Sequence, residues 1–373
     1  MRFLPRYVKV GAGGGEIDWK DALKNLRADD ILLLEPGFYE LGQGLDLCDV
    51  TIKGMGSSPD DTKLTGHISV SSDSRYVTLE NLALESNTDH NALFIPPDAD
   101  TYLTLRGVIV KTSNSDTAAL ALNGRCTVEL YSSQVINGSI SFFENSDFRL
   151  EMNDSIIDYP SKEFCALAIE GRGTAILNNS EVRGSLNTFS NSNIELVVNN
   201  TIMTYLYLNG QTWINMLDSV VTSKDDNAMG ASEKVWLNIT NSKVLGGMYL
   251  DQEVKGMLQN CQADRLMAVG QTKITMANSI FNSHVDIQDE ACIDANKSIF
   301  NGSEEFEFFL AVSGNGNFIG HDIVINPNSA VLAVKDNAIM RANILASNQV
   351  QVDVECSNRN NVSILGLRWN AKS

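Results

Sequence analysis

The feature that most constrains the fold is a short motif that recurs along the whole chain. Each copy has an asparagine, an aspartate or another polar residue, then a serine or similar small residue, then an apolar strand. Self-similarity with a period of ~20 to 50 residues is typical of solenoids, propellers and repeat arrays. The clearest copies begin at Asn153, Asn179, Asn200, Asp218, Asn241, Asn260, Asn278 and Lys297. Weaker copies lie at Asn81, Gly107, Ser133, Asp322 and Asn343.

The spacing of these copies predicts the architecture. Its mean is about 22 residues, which suits a coil of three short strands and three turns. Between the copies, segments such as residues 127–130 and 350–354 alternate apolar and polar side chains, as half-buried strands do. Few Asn-Gly or Asp-Gly turns join equal strands, as antiparallel hairpins would require. We therefore predict an all-β, right-handed parallel β-helix, a solenoid of about 13–14 coils.

The motif residues also predict how neighbouring coils keep their register. An asparagine or serine at a fixed turn can hydrogen-bond the local backbone. It can also stack on its counterpart one coil away, ~4.8 Å along the axis. We expect an asparagine ladder along the solenoid.

The first 45 residues depart from the repeat. Residues 17–26 have the pattern of an amphipathic helix, and residues 30–39 that of a buried strand and a turn. A helix over the open end of a solenoid covers an unpaired strand edge, so we predict a short N-terminal capping helix. We expect one β-helix domain over residues 1–373, with the cap and leading strand in 1–45 and the coils in 46–373.

The charge of the chain limits its partners. The formal net charge is −18, from 46 acidic and 28 basic residues. A surface of this charge repels polyanions, so nucleic acid is not an expected partner. An acidic polysaccharide would need a locally basic patch or bridging cations, whereas a neutral glycan meets no such barrier. No apolar run approaches the ~20 residues that cross a bilayer, so no membrane partner is expected.

The compartment and the oligomeric state stay open. The six cysteines are far apart in sequence and form no CxxC pair, so we predict free thiols, which favour the cytoplasm. No apolar segment of a secretory signal follows Met1. A signal removed beforehand would instead place the protein outside the cell.

Three segments near the N-terminus carry a resemblance to a known superfamily. They are Val-Lys-Val-Gly at 8–11, Ala-Asp-Asp-Ile-Leu-Leu-Leu-Glu-Pro-Gly-Phe-Tyr at 28–39, and Val-Thr-Ile-Lys-Gly-Met-Gly at 50–56. With the repeats, they resemble the pectate lyase-like superfamily of right-handed β-helices, which includes pectate lyases, pectin methylesterases and polygalacturonases. The resemblance implies a polysaccharide partner. Asp225 and Asp226 are similar to the paired aspartates of polygalacturonases, but no Gly-His-Gly or Arg-x-Lys follows them.

Alignment of one strand across successive coils predicts a binding face. The outward column of this alignment holds Asn187, Tyr207, Met229, Tyr249, Met267 and Asp286. Asn209, Asp251 and Gln288 take the next outward positions. Aromatic faces beside amides and carboxylates suit a sugar chain, so we predict that Asn187, Tyr207, Asn209 and Tyr249 bind substrate.

Four carboxylates near this face are the candidate catalytic residues: Asp225, Asp226, Asp251 and Asp286. Two carboxylates ~5 to 9.5 Å apart can act as acid and base or nucleophile in glycoside hydrolysis. They could equally hold Ca²⁺ through oxygen ligands. The four histidines are isolated in sequence and predict no metal site. Because so acidic a chain scatters carboxylates over every face, a purely structural role stays open.

Two functions follow from these patterns. The first is a polysaccharide-binding or polysaccharide-degrading β-helix of the lyase or glycoside hydrolase type. The second is a non-catalytic repeat scaffold or adhesion-type protein that binds another protein. A groove with clustered polar groups favours the first, and a flat, evenly solvated face favours the second.

Overall fold

A computed structural model describes residues 5–11, 17–42, 44–87, 89–114, 116–303, 308–326, 331–346 and 351–366, apart from the side chains of residues 224–226, 346 and 351. The chain divides into an N-terminal unit, Met1–Glu195, and a C-terminal unit, Leu196–Ser373. Both are built from parallel strands, with about 15 coils in all, slightly more than the 13–14 predicted from the mean spacing of the motif. The predicted parallel β-solenoid is therefore confirmed. The single-domain organisation stays a prediction.

The N-terminal unit has three strands in each regular coil, as the repeat predicts. The strands that begin in it are β1 Tyr7–Val10, β2 Ile31–Leu34, β3 Gly37–Glu40, β4 Leu45–Leu47, β5 Val50–Gly54, β6 Thr62–Thr65, β7 Ile68–Val70, β8 Tyr76–Glu80, β9 Ala83–Ser86, β10 Leu93–Ile95, β11 Asp100–Arg106, β12 Ile109–Thr112, β13 Leu120–Leu122, β14 Arg125–Tyr131, β15 Gln134–Ile136, β16 Ile140–Phe142, β17 Asp147–Asn153, β18 Ile156–Asp158, β19 Leu167–Ile169, β20 Arg172–Asn178, β21 Glu181–Thr188 and β22 Asn193–Asn199. Strands β8, β11, β14, β17 and β20 pair in parallel, in that order. Strands β9, β12, β15 and β18 form a second series. Strands β7, β10, β13, β16 and β19 form a third.

The C-terminal unit begins with two strands in each coil. Its strands are β23 Ile202–Leu208, β24 Gln211–Leu217, β25 Val220–Ala231, β26 Lys234–Thr240, β27 Lys243–Leu250, β28 Lys255–Gln259, β29 Gln262–Ala268, β30 Lys273–Ala277, β31 Ile280–Ile287, β32 Cys292–Asn296, β33 Ile299–Asn301, β34 Leu310–Val312, β35 Asn317–Asn326, β36 Val331–Asp336, β37 Ile339–Ala346, β38 Gln351–Cys356 and β39 Val362–Leu365. Strands β23, β25, β27, β29 and β31 pair in succession, with a register shift inside each pairing. These bulges let one bent strand replace two strands and a turn. Strands β24, β26, β28, β30 and β32 form the facing series without such shifts.

The backbone conformation explains the residue types of the repeated motif. One motif residue, the first in most copies and the second in the copy that begins at Asn153, has φ between 45° and 53°, in the left-handed region. These residues are Asn81, Asp154, Asn179, Asn200, Asp218, Asn241, Asn260, Asn278, Lys297 and Asp322. Asparagine, aspartate and glycine tolerate this region, whereas other residues are strained in it. The Asn/Asp preference is thus a requirement of the turn that starts each new strand.

The second motif residue links neighbouring coils through its hydroxyl group. The amide of Ser133 donates to Ser155 Oγ at 3.1 Å, and the amide of Ser155 donates to Ser180 Oγ at 3.3 Å. The Ser155 hydroxyl donates to the carbonyl of Asn153 at 2.9 Å. In the C-terminal unit, Asn260 Nδ2 donates to Asn241 Oδ1 at 3.0 Å. The asparagine side-chain hydrogen bonds predicted from the repeat are therefore present, together with a buried serine ladder.

Alternating side chains build the core, and helix is nearly absent. On β17, Phe148, Leu150 and Met152 are buried, and the residues between them are not. The described residues form one α-helix, α1 Trp19–Lys24, and two 3₁₀ turns, Pro59–Asp61 and Arg359–Asn361. The helix α1 is shorter than the predicted segment 17–26. Its role as a cap over the end of the solenoid stays a prediction.

The cysteines are free thiols, as predicted. Cys126 and Cys261 are buried, and burial raises the pKa of the Cys126 thiol to about 12. Cys261 takes a serine position of the ladder, where its Sγ donates to the carbonyl of Ile239 at 3.2 Å. No helix in the described ranges is long and apolar enough to cross a membrane.

Lys297 offers a test of the left-handed position, because it stands where other coils have asparagine or aspartate. We expect Lys297→Asn to raise the free energy of unfolding by about 1 kcal/mol, since the strain of a left-handed lysine is relieved. The reverse change, Asn278→Lys, should lower it by a similar amount. Urea unfolding followed by tryptophan fluorescence measures both effects. Lys243→Asn, at an exposed strand position without positive φ, is the control. Equal midpoints for all three variants would contradict this account of the motif.

Candidate functional site

One outward column of the C-terminal unit crosses five successive strands. Tyr207 of β23 pairs with Gly230 of β25, and Gly230 pairs with Tyr249 of β27. Tyr249 pairs with Met267 of β29, and Met267 with Asp286 of β31. Four of the six predicted members, Tyr207, Tyr249, Met267 and Asp286, share this column, and Gly230 takes the place predicted for Met229.

The prediction that Met229 faces outward in this column is wrong. Met229 is fully buried and pairs with Leu206 and Met248, which are also buried. Register shifts on either side of Asn227 displace the strand relative to a regular repeat. Since a shift of one residue turns every side chain to the other face, Gly230 takes the outward place.

The absence of a side chain at Gly230 makes room for Tyr207. A Cβ atom on Gly230 would lie 2.9 Å from Cδ1 and 3.3 Å from Cε1 of Tyr207. The Tyr207 ring therefore reaches over the backbone of the next coil. Its other neighbour is Tyr205, whose ring lies 6.1 Å away between centroids at an interplanar angle of 12°. A glycine between two outward tyrosines thus produces a gap with aromatic walls.

This gap is part of a cleft of about 200 Å³. It is lined by Tyr207, Leu208, Asn209, Asn227, Gly230, Ala231, Ser232 and Tyr249. Three of the four predicted substrate-binding residues, Tyr207, Asn209 and Tyr249, are brought together here. Two phenol groups, amide side chains and one hydroxyl surround an apolar floor. The cleft is smaller than the ~300 to 1,000 Å³ pockets that enclose a whole small molecule, so its size suits one part of a longer ligand.

The predicted catalytic residue Asp251 has a structural contact. Its Oδ1 accepts a hydrogen bond from the amide of Gln252 at 2.6 Å. A Cβ atom on Gly270, in the next coil, would lie 3.1 Å from the same oxygen. The carboxylate is therefore turned into the bend that follows β27, where Gln252 has φ of 62°.

Asp286 lies in a polar cluster on the outward side of β31. Gln288 Nε2 donates to Asp286 Oδ2 at 2.6 Å, and His284 Nε2 lies 4.0 Å from the same oxygen. His284 Nδ1 is 2.5 Å from the carbonyl oxygen of Phe308. Because a carbonyl only accepts, Nδ1 carries the proton of this hydrogen bond, and Nε2 is directed toward the carboxylate side. On the preceding coil, Arg265 is the register partner of His284.

Sequence reasoning missed His284, which it treated as isolated. The signal was its spacing of two residues from Asp286, because residues i and i+2 of a strand share one face. In the N-terminal unit, the rings of His67 and His90 are also neighbours, 5.7 Å apart between centroids. Among the described residues, no group of three or more histidine, cysteine, aspartate or glutamate side chains is arranged to hold a metal ion. The possible Ca²⁺ ligand set stays a prediction.

The remaining predicted site residues do not join the cleft as described. Asn187 belongs to β21 of the N-terminal unit, where it pairs with Ala168. Its Oδ1 is buried and has no hydrogen-bond partner in the described part of the chain. The side chains of Asp225 and Asp226 lie outside the described residues. The substrate and catalytic roles assigned from the sequence therefore stay predictions.

Comparisons with known proteins add little to this geometry. No protein-family model and no curated protein matches the sequence. The crystal structure of the Agl-KA catalytic domain is similar at 12% identity, with a TM-score of 0.31, over 98% of this chain and 68% of that chain. The crystal structure of pectate lyase Pel9A is similar at 12% identity, with a TM-score of 0.14, over 100% of this chain and 79% of that chain. Similarities this low carry no argument about function. The register of the parallel coils shows a parallel β-solenoid, the kind of fold that the resemblance of the sequence implied.

Proposed function

We propose that the C-terminal unit binds a neutral oligosaccharide, or a stretch of neutral polysaccharide, in the cleft between Tyr207 and Tyr249. The observation that carries this proposal is the Tyr207–Gly230–Tyr249 column, in which a glycine opens a gap between two outward tyrosines. Side chains of this kind complement the two surfaces of a sugar ring. The tyrosine rings meet its C–H faces, and the amides of Asn209 and Asn227 meet its hydroxyl groups.

The charge around the column favours a neutral ligand. Asp286 stands two coils beyond Tyr249, and the protein as a whole has a formal charge of −18. Carboxylate or sulfate groups on a ligand would be repelled by both. Hydroxyl groups of a neutral sugar carry no such penalty.

The column also indicates the direction in which a longer glycan would extend from the cleft. Neighbouring coils are ~4.8 Å apart, so Met267 and Asp286 lie ~5 and ~10 Å beyond Tyr249 along the axis. A glycan that leaves the cleft along the column passes over the Met267 side chain and reaches the polar cluster of His284, Asp286 and Gln288. This continuity supports a binding role more than it supports a scaffold with an evenly solvated face.

Cleavage of the bound glycan, as in a glycoside hydrolase, is a second candidate function. The observation that favours it is the proximity of His284 to Asp286, which stands in the same column as Tyr249. The 4.0 Å between Nε2 and the carboxylate oxygen is beyond direct hydrogen-bond reach, but each group can exchange a proton with a substrate bound over this face. Glycoside hydrolysis commonly uses two carboxylates, so a partner for Asp286 is required, and Asp225 and Asp226 stay candidates.

The binding proposal predicts the effect of filling or emptying the cleft. We expect Tyr207→Ala and Tyr249→Ala each to weaken binding by about tenfold, because each removes one aromatic wall. Gly230→Ala should act similarly, since its Cβ displaces the Tyr207 ring. Titration calorimetry with neutral gluco-, xylo- and manno-oligosaccharides measures the affinities. Tyr102→Ala, at an exposed tyrosine of the N-terminal unit, is the matched control. Wild-type affinity in all three cleft variants would contradict the proposal.

The cleavage candidate makes a separate prediction. Asp286→Asn should lower the release of reducing ends by roughly 10²-fold or more while binding in the cleft is retained, because only the proton-transferring group is lost. Asp289→Asn removes the same charge three residues away, at an exposed position with φ of 56°, and should leave turnover unchanged. Turnover of Asp286→Asn equal to wild type removes this residue from catalysis. Wild-type protein that binds oligosaccharides but releases no reducing ends contradicts cleavage and leaves the binding proposal intact.

A further inference from the structure

A second outward surface of the C-terminal unit differs in charge from the rest of the protein. We call it the tryptophan–lysine face; it consists of the outward side chains of β24, β26, β28 and β30. These are Gln211, Trp213, Asn215, Leu217, Lys234, Trp236, Asn238, Thr240, Lys255, Met257, Gln259, Lys273, Thr275 and Ala277. None is a carboxylate, and three are lysines, although acidic residues outnumber basic ones in the whole chain.

The register of these strands arranges the key side chains in one column. Trp213 pairs with Trp236, Trp236 with Lys255, and Lys255 with Lys273. The two indole rings are stacked, with centroids 4.5 Å apart and an interplanar angle of 3°. Since each coil adds ~4.8 Å, the four side chains span ~14 Å along the axis. This column therefore presents an aromatic surface that continues directly into two ammonium groups.

The lysines of this face are available to an external anion. Lys234, Lys255 and Lys273 are exposed, and no salt bridge between described residues includes any of them. The nearest carboxylates lie at the margins, among them Asp294 on the next strand, β32, where it pairs with Thr275. Glu233 already accepts a hydrogen bond from the amide of Gly210 at 2.9 Å, and Glu253 precedes Lys255 by two residues.

Amide and apolar side chains lie beside the column of tryptophans and lysines. In the next outward column, Asn238 Nδ2 donates to Asn215 Oδ1 at 3.0 Å, and Met257 follows them on β28. Leu217, Met257 and Trp213 are about two-fifths exposed, which leaves apolar area beside the amides. Aromatic, amide and ammonium groups at a regular spacing fit a polymer that repeats apolar ring faces, hydroxyl groups and negative charges.

We infer that the tryptophan–lysine face binds a polyanionic polysaccharide, one that carries sulfate or carboxylate groups on a sugar backbone. The sugar rings contact Trp213 and Trp236, and the anionic groups contact Lys255 and Lys273. Charge complementarity identifies this ligand class, because the face lacks the carboxylates that repel polyanions elsewhere. The inference is independent of the neutral-glycan proposal, since the two surfaces share no residue.

Affinity electrophoresis in gels with dextran, dextran sulfate or carboxymethyl-dextran tests this inference, because the three polymers share one backbone. We expect retardation by dextran sulfate, carboxymethyl-dextran or both, with the stronger of the two identifying the preferred anionic group. The retardation should fall when the ionic strength is raised from low to physiological salt. Equal mobility in all three gels would overturn the inference.

Variants distinguish specific binding at this face from a general effect of charge on the protein. The double variant Lys255→Gln, Lys273→Gln should weaken binding by roughly tenfold, since two exposed ionic contacts are lost. The double variant Lys243→Gln, Lys297→Gln makes the same change of charge at other exposed positions of the unit and should bind as wild type does. Trp236→Ala should weaken binding, and Trp236→Phe should restore part of it. Tyr102→Ala, at an exposed tyrosine that belongs to neither surface, should have no effect.

Two results contradict the inference even if retardation occurs. Equal loss in both double-lysine variants would show a nonspecific effect of charge. Polyglutamate or single-stranded DNA that competes as well as the charged dextrans, at equal charge concentration, would show that the face does not recognise the sugar backbone. Circular dichroism of each variant, with unchanged β-strand signal, excludes loss of fold as the cause.

Discussion

The structure depends on the hydrogen bonding of each coil to the next at the turn that begins a strand. The left-handed residue of the motif lets the chain change direction there, and its amide donates to the neighbouring coil, as Asn200 does to the carbonyl of Leu217 at 3.0 Å. The hydroxyl residue that follows is buried, and the Thr201 amide donates to the hydroxyl of its counterpart Ser219 in the next coil at 3.1 Å. With its polar groups paired in this way, the turn can lie against the apolar core without the cost of unsatisfied donors.

The register of the strands links this hydrogen bonding to the candidate binding surfaces. Because the turn holds each strand at a defined height, a side chain on one coil meets its counterpart on the next at a constant spacing. The stacked indoles of Trp213 and Trp236 result from this repetition. The cleft arises where the repetition is broken, since the bulge around Asn227 brings Gly230 between Tyr207 and Tyr249. Regular and irregular stretches of one unit therefore produce two kinds of surface.

Charge is distributed unevenly over these surfaces. Several carboxylates of the N-terminal unit are held in ion pairs between coils, such as Asp147 with Arg125 and Arg172. In the C-terminal unit, Asp286 stands at the end of the tyrosine column, whereas the tryptophan–lysine face has no carboxylate. The net charge of the whole chain therefore describes neither of the two surfaces. The preference for a neutral ligand at one and an anionic ligand at the other follows from local groups.

The sequence alone determined the parallel coils, the ladder and the membership of Tyr207, Asn209 and Tyr249 in one face, because strand alternation and a fixed period are properties of local sequence. It could not place Gly230 instead of Met229, because a bulge shifts the register without changing the alternation on either side. It also could not show that the Asp251 carboxylate turns into a bend, whereas the proximity of His284 to Asp286 was available from their i, i+2 spacing. The bulge and the bend depend on how each coil pairs with the next, and only the tertiary structure decides that.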